Sequence, residues 1–218
     1  DCMIATLIQG KQGPAIRLEF AYDPRIVELV RSFPARKFDP THKYWTVAVG
    51  AVRNVVPKLK AAGFFVSAEV EELYAAAVAR AGVLEDVRGK SDVEFEVGLQ
   101  NVSLYPFQKV CAKFMVEAGS CLNACGVGTG KTLMSLGAVA KVGTTKNLIV
   151  VPKSLLFQWE SECNRMLPTY KTFVVMGNKK QREEIYKRVA RYRGAYFLIV
   201  SYEIMRIDRE LLVNEVGL

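Results

Sequence analysis

The sequence predicts an α/β protein, in which a lobe with a parallel sheet follows a small α+β unit. Three observations support this prediction. From Leu104 onward, short apolar segments alternate with helical segments of 10 to 15 residues, which is typical of a parallel sheet covered by helices. Residues 11–66 instead combine a hairpin pattern with short helices. A glycine-rich turn lies at 124–132, between a predicted strand and a predicted helix.

The first part of the chain contains both strand and helix signals. Residues 15–20 alternate apolar and polar side chains, as in a half-buried strand. Asp23 and Pro24 favour the start of a helix. Residues 36–49 predict a hairpin with a turn at 39–42. A helix over 51–62 ends at Gly63, and a short strand and a second helix follow at 64–66 and 68–81.

The predicted domain division follows from this pattern. Residues 1–82 form the small α+β domain, the acidic and aperiodic residues 83–103 form a linker, and residues 104–218 form the larger lobe. Within that lobe we predict helices at 106–118, 131–141, 154–166, 178–192 and 202–213, and strands at 120–124, 147–151, 172–176 and 196–201.

Charge and composition narrow the functional classes. The chain has 218 residues and a net charge of +8, and residues 104–218 hold 17 Lys and Arg against 9 Asp and Glu. A basic surface favours a polyanionic partner such as nucleic acid, although it could also be a solvated face.

The five cysteines contain no Cys-x-x-Cys pair and there is one histidine, so we expect a reduced compartment and no structural zinc. No apolar run is long enough for a membrane span. The first residue is Asp, which suggests a piece of a longer protein.

The glycine-rich segment at 124–132 has the pattern of a phosphate-binding P-loop. It reads Ala-Cys-Gly-Val-Gly-Thr-Gly-Lys-Thr, with Cys125 at the position of the first glycine of the pattern. Glycines let backbone N–H groups turn toward a phosphate, and the helix N-terminus adds its positive dipole end. Lys131 would contact the β and γ phosphates, and Thr132 would hold Mg²⁺. We predict ATP and Mg²⁺ as cofactors, Lys131 and Thr132 as catalytic residues, and a nucleotide site of Gly126, Gly128, Thr129, Gly130, Lys131 and Thr132.

Three further polar positions are candidate contacts. Gln108 lies 23 residues before Lys131, and its amide could recognise the N6 and N7 edge of adenine, or it could be a surface glutamine. Ser154 follows a strand and could cap the next helix, and Lys153 beside it could contact a nucleic-acid phosphate. Ser201 follows another strand, at the sheet edge where ligands bind in open α/β folds.

Together these segments resemble the first motor lobe of Snf-type superfamily 2 helicases. The resemblance rests on Leu-x-Pro-Phe-Gln, Gly-x-Gly-Lys-Thr, Val-Pro-Lys-Ser-Leu-x-x-x-Trp and Ser-Tyr-Glu, in this order from Leu104 to about Asp208. It implies a RecA-like lobe, ATP binding by Gln108, Lys131 and Thr132, and contact with a DNA backbone by Lys153, Ser154 and Ser201.

The first domain resembles the HARP (HepA-related protein) module found beside Snf-type motors. The resemblance rests on Arg-Lys-Phe-Asp-Pro at 36–40 and Lys-x-Trp-Thr-Val at 43–47. It implies DNA binding, with phosphate and stacking contacts from Arg36, Lys37, Lys43, Tyr44 and Trp45. Alternatively, Trp45 belongs to the core and the basic residues keep the domain soluble. Because side chains alternate along a strand, only one of Tyr44 and Trp45 can face the core.

A motor of this kind also needs a strand that ends in Asp-Glu, which holds Mg²⁺ and orients the attacking water. No Asp-Glu pair follows Ser201 in these 218 residues. We therefore expect this polypeptide to bind ATP without hydrolysing it, as part of an ATP-dependent DNA helicase or translocase that acts on forked, branched or single-stranded DNA. The alternative is a non-catalytic basic interaction module with the P-loop as scaffold. The expected location is the cytoplasm of a bacterial cell, or the nucleus of a eukaryotic one.

Overall fold

The computed structural model describes residues 3–10 and 13–217. Contacts divide the chain into two compact units, Asp1–Glu85 and Asp86–Leu218. Helix α3 of the first unit continues past this division, and the two units are described separately below.

The first unit contains a five-stranded sheet and three helices. The strands are β1 (Ile4–Gly10), β2 (Gly13–Glu19), β3 (Arg36–Asp39), β4 (Tyr44–Ala48) and β5 (Phe65–Val66), and the helices are α1 (Pro24–Arg31), α2 (Val52–Ala61) and α3 (Ala68–Arg88). The strand order is β3-β4-β2-β1-β5, with antiparallel pairs except for β1 and β5, which are parallel.

Local sequence explains most of these elements. Asp23 caps α1 by accepting from the Arg25 N–H at 2.8 Å, and Pro24 occupies the first helical position, as predicted. The Asp39 carboxylate accepts from the N–H groups of Thr41 and His42, which closes the predicted β3-β4 hairpin. Strand β1 was not predicted from the sequence, and it pairs along its whole length with β2.

The second unit alternates helices and strands. Its helices are α4 (Pro106–Ala118), α5 (Lys131–Val142), α6 (Leu156–Met166), α7 (Lys179–Arg191), α8 (Tyr202–Ile207) and α9 (Arg209–Leu211). Its strands are β6 (Lys146–Val151), β7 (Lys171–Val174) and β8 (Tyr196–Ser201), and a π-helical segment covers Leu212–Val216.

The three strands form a parallel sheet in the order β6-β8-β7, with helices packed on both faces. All six residues of the central strand β8 are buried. Phe197 and Ile199 pack toward α5 and α6, whereas Leu198 and Val200 pack toward α7 and the π-helical segment. The predicted α/β class and the parallel sheet are therefore confirmed.

The structure corrects two predictions in this region. Residues 120–124 form no strand, because no described strand pairs with them and Leu122 is 89% exposed. Residues 83–88 of the predicted linker at 83–103 continue α3, and the irregular segment that follows packs within the second unit. Phe95 is 4% exposed in a cluster with Leu104 and Met134.

Candidate functional site

The P-loop wraps around the side chain of Lys131 at the N-terminus of α5. Gly128 and Gly130 have φ values of +79° and +84°, which L side chains rarely adopt, and Gly130 is the N-cap of the helix. The Lys131 ammonium donates to the carbonyl oxygens of Cys125 and Gly126 at 2.9 and 2.8 Å. The Thr129 hydroxyl donates to the Gly126 carbonyl at 2.8 Å. The loop therefore presents a cation and a helix N-terminus at one place.

Gln108 connects helix α4 to this loop. Its side-chain N–H donates to the Thr129 carbonyl at 2.9 Å, and its amide oxygen accepts from the Tyr105 N–H at 3.0 Å. The residue is 4% exposed, so the surface-glutamine alternative is wrong. A Cβ added to Gly130 would lie 2.6 Å from the Gln108 side-chain nitrogen. The loop and Gln108 therefore fit together only because residue 130 is glycine.

Thr132 occupies the second position of α5, directly after Lys131, and is half-buried. Its hydroxyl belongs to the first turn of the helix, beside the loop glycines. A hydroxyl at this position has the chemistry of one Mg²⁺ ligand. The rest of a magnesium site would come from phosphate oxygens, water and carboxylates.

The second candidate surface is the carboxyl edge of the parallel sheet. Val151 and Ser201 lie side by side in the β6-β8 register, so the segments that follow these two strands meet there. Lys153 and Ser154 are exposed in a short 3₁₀ turn. Ser154 does not cap the next helix as predicted, because the N-cap of α6 is Leu155 and no side chain bonds there.

Ser201 is buried at this edge, with 2% of its surface exposed. It is the N-cap of α8, and its hydroxyl oxygen accepts from the Ile204 N–H at 3.3 Å. The pKa of Glu203 is lowered, mainly by a hydrogen bond from Ser201 and further by the charge of Lys153. The predicted direct contact between the Ser201 side chain and DNA conflicts with this burial, and the hydroxyl acts as a helix cap.

The aromatic residues of the first unit lie on opposite faces of the sheet. Trp45 packs on the core cluster and contacts the Phe38 ring at a centroid distance of 5.1 Å. Tyr44, its neighbour in β4, lies on the other face beneath the Arg17 guanidinium, which is 4.6 Å from the ring centroid. The His42 ring stacks on Tyr44 at 5.9 Å. Tyr44 is therefore the aromatic on the outer face.

The basic residues predicted in this region are exposed. Arg36 and Lys37 lie on the edge strand β3, and Lys43 lies in the hairpin turn with a φ of +54°. The Arg36 guanidinium donates to the Phe33 carbonyl at 3.0 Å. Because Lys37 pairs with Thr46, and Thr46 pairs with Arg17, these three side chains lie on the same face as Tyr44. Arg17 was not predicted as a site residue, since only the strand register brings it to this face.

A buried polar cluster in the second unit was also missed. The Arg182 guanidinium donates to both Asp208 carboxylate oxygens at 2.6 and 2.9 Å, and the Tyr186 hydroxyl donates to the same carboxylate at 2.9 Å. Arg182 is 8% exposed and Asp208 is 4% exposed. Hydrogen bonds from Arg182 and Tyr186 lower the pKa of Asp208. The cluster joins α7 to the junction between α8 and α9.

Two negative findings apply to the described part of the chain. His, Cys, Asp and Glu side chains form no group of three or more there that could hold a metal ion. No helix within residues 3–10 and 13–217 is long and apolar enough to cross a membrane.

A glycine-rich loop at a helix N-terminus, in a unit of parallel strands and helices, defines an α/β protein with the sequence pattern of a P-loop, and no described strand leads into this loop. The SNF2-related domain family model matches residues 59–216. This match covers most of the chain, so the chain belongs to the SNF2-related domain family. The predicted kinship with Snf-type superfamily 2 proteins is confirmed.

Curated relatives match shorter segments. The helicase SWR1 of Candida glabrata is 33% identical over 88 residues, which cover 38% of this chain and 6% of that protein. The mouse chromodomain-helicase-DNA-binding protein 1-like is 26% identical over 124 residues, 53% of this chain and 14% of that protein. The chain thus matches only a small part of each relative's length. The SWI2/SNF2 ATPase core of Sulfolobus solfataricus in complex with dsDNA is 20% identical, with a TM-score of 0.42 over 55% of this chain and 25% of that one.

Proposed function

We propose that this chain binds ATP with Mg²⁺ at the P-loop and binds DNA. In this proposal it is part of an ATP-dependent DNA helicase or translocase that acts on forked, branched or single-stranded DNA. The observation that carries the proposal is the Lys131 ammonium held within the loop by the carbonyls of Cys125 and Gly126. Such a protein would work where DNA is found, in the bacterial cytoplasm or the eukaryotic nucleus.

Nucleotide binding would use the loop as follows. Lys131 exchanges its two carbonyl contacts for phosphate oxygens, and the loop N–H groups and the helix N-terminus stabilise the remaining negative charge. Thr132 supplies one ligand to Mg²⁺. Gln108 retains one N–H and one lone pair for the adenine edge after its two hydrogen bonds are counted. Its burial supports a second task, which is to hold the loop through Thr129.

The test of nucleotide binding is Lys131→Ala. Because hydrogen bonds to a charged group contribute about 1.5–3 kcal/mol, affinity for a fluorescent ATP analogue should fall by about ten- to a hundredfold. Lys141→Ala is the matched control, since it removes the same charge from the exposed end of the same helix. Equal affinity in the parent and Lys131→Ala would contradict the phosphate assignment and favour the non-catalytic interaction module.

We also propose that ATP hydrolysis by these 218 residues is near background. No Asp-Glu pair follows a strand of the lobe, so nothing in this polypeptide supplies the carboxylates that orient the attacking water. Lys131 and Thr132 would then act catalytically only when such carboxylates are present.

The proposed DNA surface of the second unit is the carboxyl edge of its sheet. Lys153 and Ser154 are exposed there and have the donors that phosphate oxygens accept from. Ser201 contributes indirectly in this proposal, because it caps α8 and orders the segment that also carries Glu203.

For the first unit we propose a HARP-like role in which DNA lies on the outer face of the sheet. Arg17, Lys37 and Tyr44 share this face. Arg36 lies on the edge strand β3, and Lys43 lies in the hairpin turn. Phosphates would contact the basic residues, and an unstacked base would contact the Tyr44 ring. Trp45 belongs to the opposite face, which supports a structural role for it.

Salt dependence separates these two kinds of contact in the intact chain. Replacing Lys37 and Lys43 by Ala should reduce the slope of log affinity against log salt by about 0.7 per lost single-strand phosphate contact. Tyr44→Ala should weaken single-strand or fork binding, at an almost unchanged slope, by about 1–3 kcal/mol. Trp45→Phe serves as the control that keeps an aromatic in the core. Unchanged binding in both the charge and the Tyr44 variants would refute DNA binding by this unit.

A further inference from the structure

Two thiols meet where helix α4 passes the P-loop. The sulfur atoms of Cys111 and Cys125 are 3.7 Å apart, and both side chains are half-buried. Cys125 stands at the loop position where the P-loop pattern has glycine, and Cys111 lies in the middle of α4. In contrast, Cys121 is exposed and Cys163 is buried in a different cluster. Cys111 and Cys125 therefore form a thiol pair at the candidate nucleotide site.

We propose that Cys111 and Cys125 form a redox modification site, at which a low-molecular-weight disulfide oxidises the pair to a disulfide that distorts the P-loop. The inference that oxidation lowers nucleotide affinity rests on the proposed function. The formation of the bond does not depend on it.

The chemistry is two thiol–disulfide exchanges. The Cys125 thiolate attacks one sulfur of the external disulfide, which forms a mixed disulfide and releases one thiolate. The Cys111 thiolate then attacks the Cys125 sulfur, which forms the protein disulfide and releases the second thiolate. One external disulfide is reduced to two thiols, the two protein thiols are oxidised to one disulfide, and the two protein protons end on the released thiols.

The order of attack follows from the surroundings of the two sulfurs. Burial, together with the neighbouring Cys125, raises the pKa of Cys111 to about 11. Cys111 is therefore mostly a thiol at neutral pH, so it suits the intramolecular second step, in which its small thiolate fraction attacks the adjacent mixed disulfide at Cys125. Cys125 lies on a loop whose residues Ala124 and Gly126 are exposed, so it is the sulfur that an external disulfide reaches first.

We expect bond formation to displace the loop more than the helix. A disulfide has a sulfur separation of about 2.05 Å, well below the 3.7 Å seen here. Cys111 is fixed in the 13-residue helix α4, whereas residues 121–126 belong to no strand. The Cys125 carbonyl accepts from Lys131 and its N–H donates to Asn123 at 3.2 Å. Drawing Cys125 toward α4 therefore disturbs the backbone contact that positions Lys131.

The experiment begins with the bond itself. The full chain is treated with oxidised glutathione under denaturant-free conditions, alkylated, digested with trypsin and analysed by mass spectrometry. Trypsin places Cys111 in peptide 110–113, but it leaves Cys121 and Cys125 together in peptide 114–131. The assay therefore uses a Cys121→Ser background, in which a link between these two peptides identifies the Cys111–Cys125 bond. We expect this link in monomeric protein, and its absence or an intermolecular link would overturn the proposal.

Two measurements, nucleotide affinity and amide hydrogen exchange, then test whether oxidation alters the loop. Oxidised protein whose intact mass shows no glutathione adduct should bind a fluorescent ATP analogue about tenfold or more weakly, and dithiothreitol should restore the affinity. Amide hydrogen exchange of residues 121–131, measured without nucleotide, should differ between the reduced and oxidised protein. Cys111→Ser is the matched control: it stops at the mixed disulfide on Cys125, so its fraction without a glutathione adduct should respond to oxidant in neither readout.

The outcomes distinguish this proposal from the proposed function. If the reduced protein binds no nucleotide, the proposed function fails, while the peptide link and the hydrogen exchange still test the redox site. If the link forms but the hydrogen exchange of the loop is unchanged, the claim that the bond distorts the P-loop is refuted.

Discussion

Replacing Gly130 by alanine tests how the P-loop is held. Two features oppose a side chain at this position. The backbone φ of +84° is unfavourable for an L residue, and the new Cβ would lie 2.6 Å from the side-chain nitrogen of Gln108. Gln108 cannot simply turn away, because it is buried and both ends of its amide are hydrogen-bonded.

The expected cost has two parts. A left-handed conformation costs a non-glycine residue about 1–2 kcal/mol. Displacing the Gln108 amide loses its bond to the Thr129 carbonyl and leaves a buried polar group unsatisfied, which adds about 1–3 kcal/mol. We therefore expect Gly130→Ala to lower the free energy of unfolding of the second unit by about 2–5 kcal/mol. Gly128→Ala should show only the first part, since its φ is +79° and no atom lies within 4 Å of the added Cβ.

Urea unfolding monitored by tryptophan fluorescence measures these differences. The two tryptophans, Trp45 and Trp159, lie in different units, so a Trp45→Phe background reports the second unit alone. Gly130→Ala, Gly128→Ala and Gln108→Ala are compared, together with the double variant of Gly130 and Gln108. Because Gln108→Ala removes the side chain that meets the new Cβ, Gly130→Ala should cost less in that background.

A specific result would refute this reasoning. If Gly130→Ala and Gly128→Ala are equally destabilising, and the costs of Gly130→Ala and Gln108→Ala add without coupling, then Gln108 does not hold the loop in place.

Two further predictions concern the second unit. Because hydrogen bonds lower the pKa of the buried Asp208, its stabilising contribution is present above the ordinary value of 3.8 and is lost as pH falls through the lower folded value. Asp208→Asn should destabilise the unit by about 3–5 kcal/mol at neutral pH. In urea unfolding between pH 2 and 7, the free energy of unfolding of the variant should fall less steeply toward acid pH than that of the parent. A parallel loss in parent and variant across that range would show that Asp208 does not control acid stability. Ser201→Ala should lower the free energy of unfolding by about 1 kcal/mol, whereas Ser201→Asp retains an acceptor for the Ile204 N–H and should lower it less.

Local sequence signals predicted the elements whose causes are local. The cap at Asp23, the hairpin turn at Asp39, and the bounds of α4 were all predicted from residues within a few positions of each feature. The strand predicted over 120–124 was wrong because a strand needs a partner, and no described strand lies beside these residues. The segment at 93–99 did carry a usable signal, since Val93, Phe95, Val97 and Leu99 alternate with exposed residues. Phe95 is buried and the other three are half-buried.

The sequence by itself determined the α/β class and the position of the glycine-rich loop before α5, because periodicity and backbone preference act over short distances. Only the tertiary structure decided which side chains meet. It buried Ser201 as a cap, turned Trp45 toward the core and Tyr44 outward beneath Arg17, and joined Arg182 to Asp208 across 26 positions. It also brought Cys111 to Cys125 and Gln108 to Thr129. These contacts depend on strand register and on the packing of distant elements, which no local pattern in the chain records.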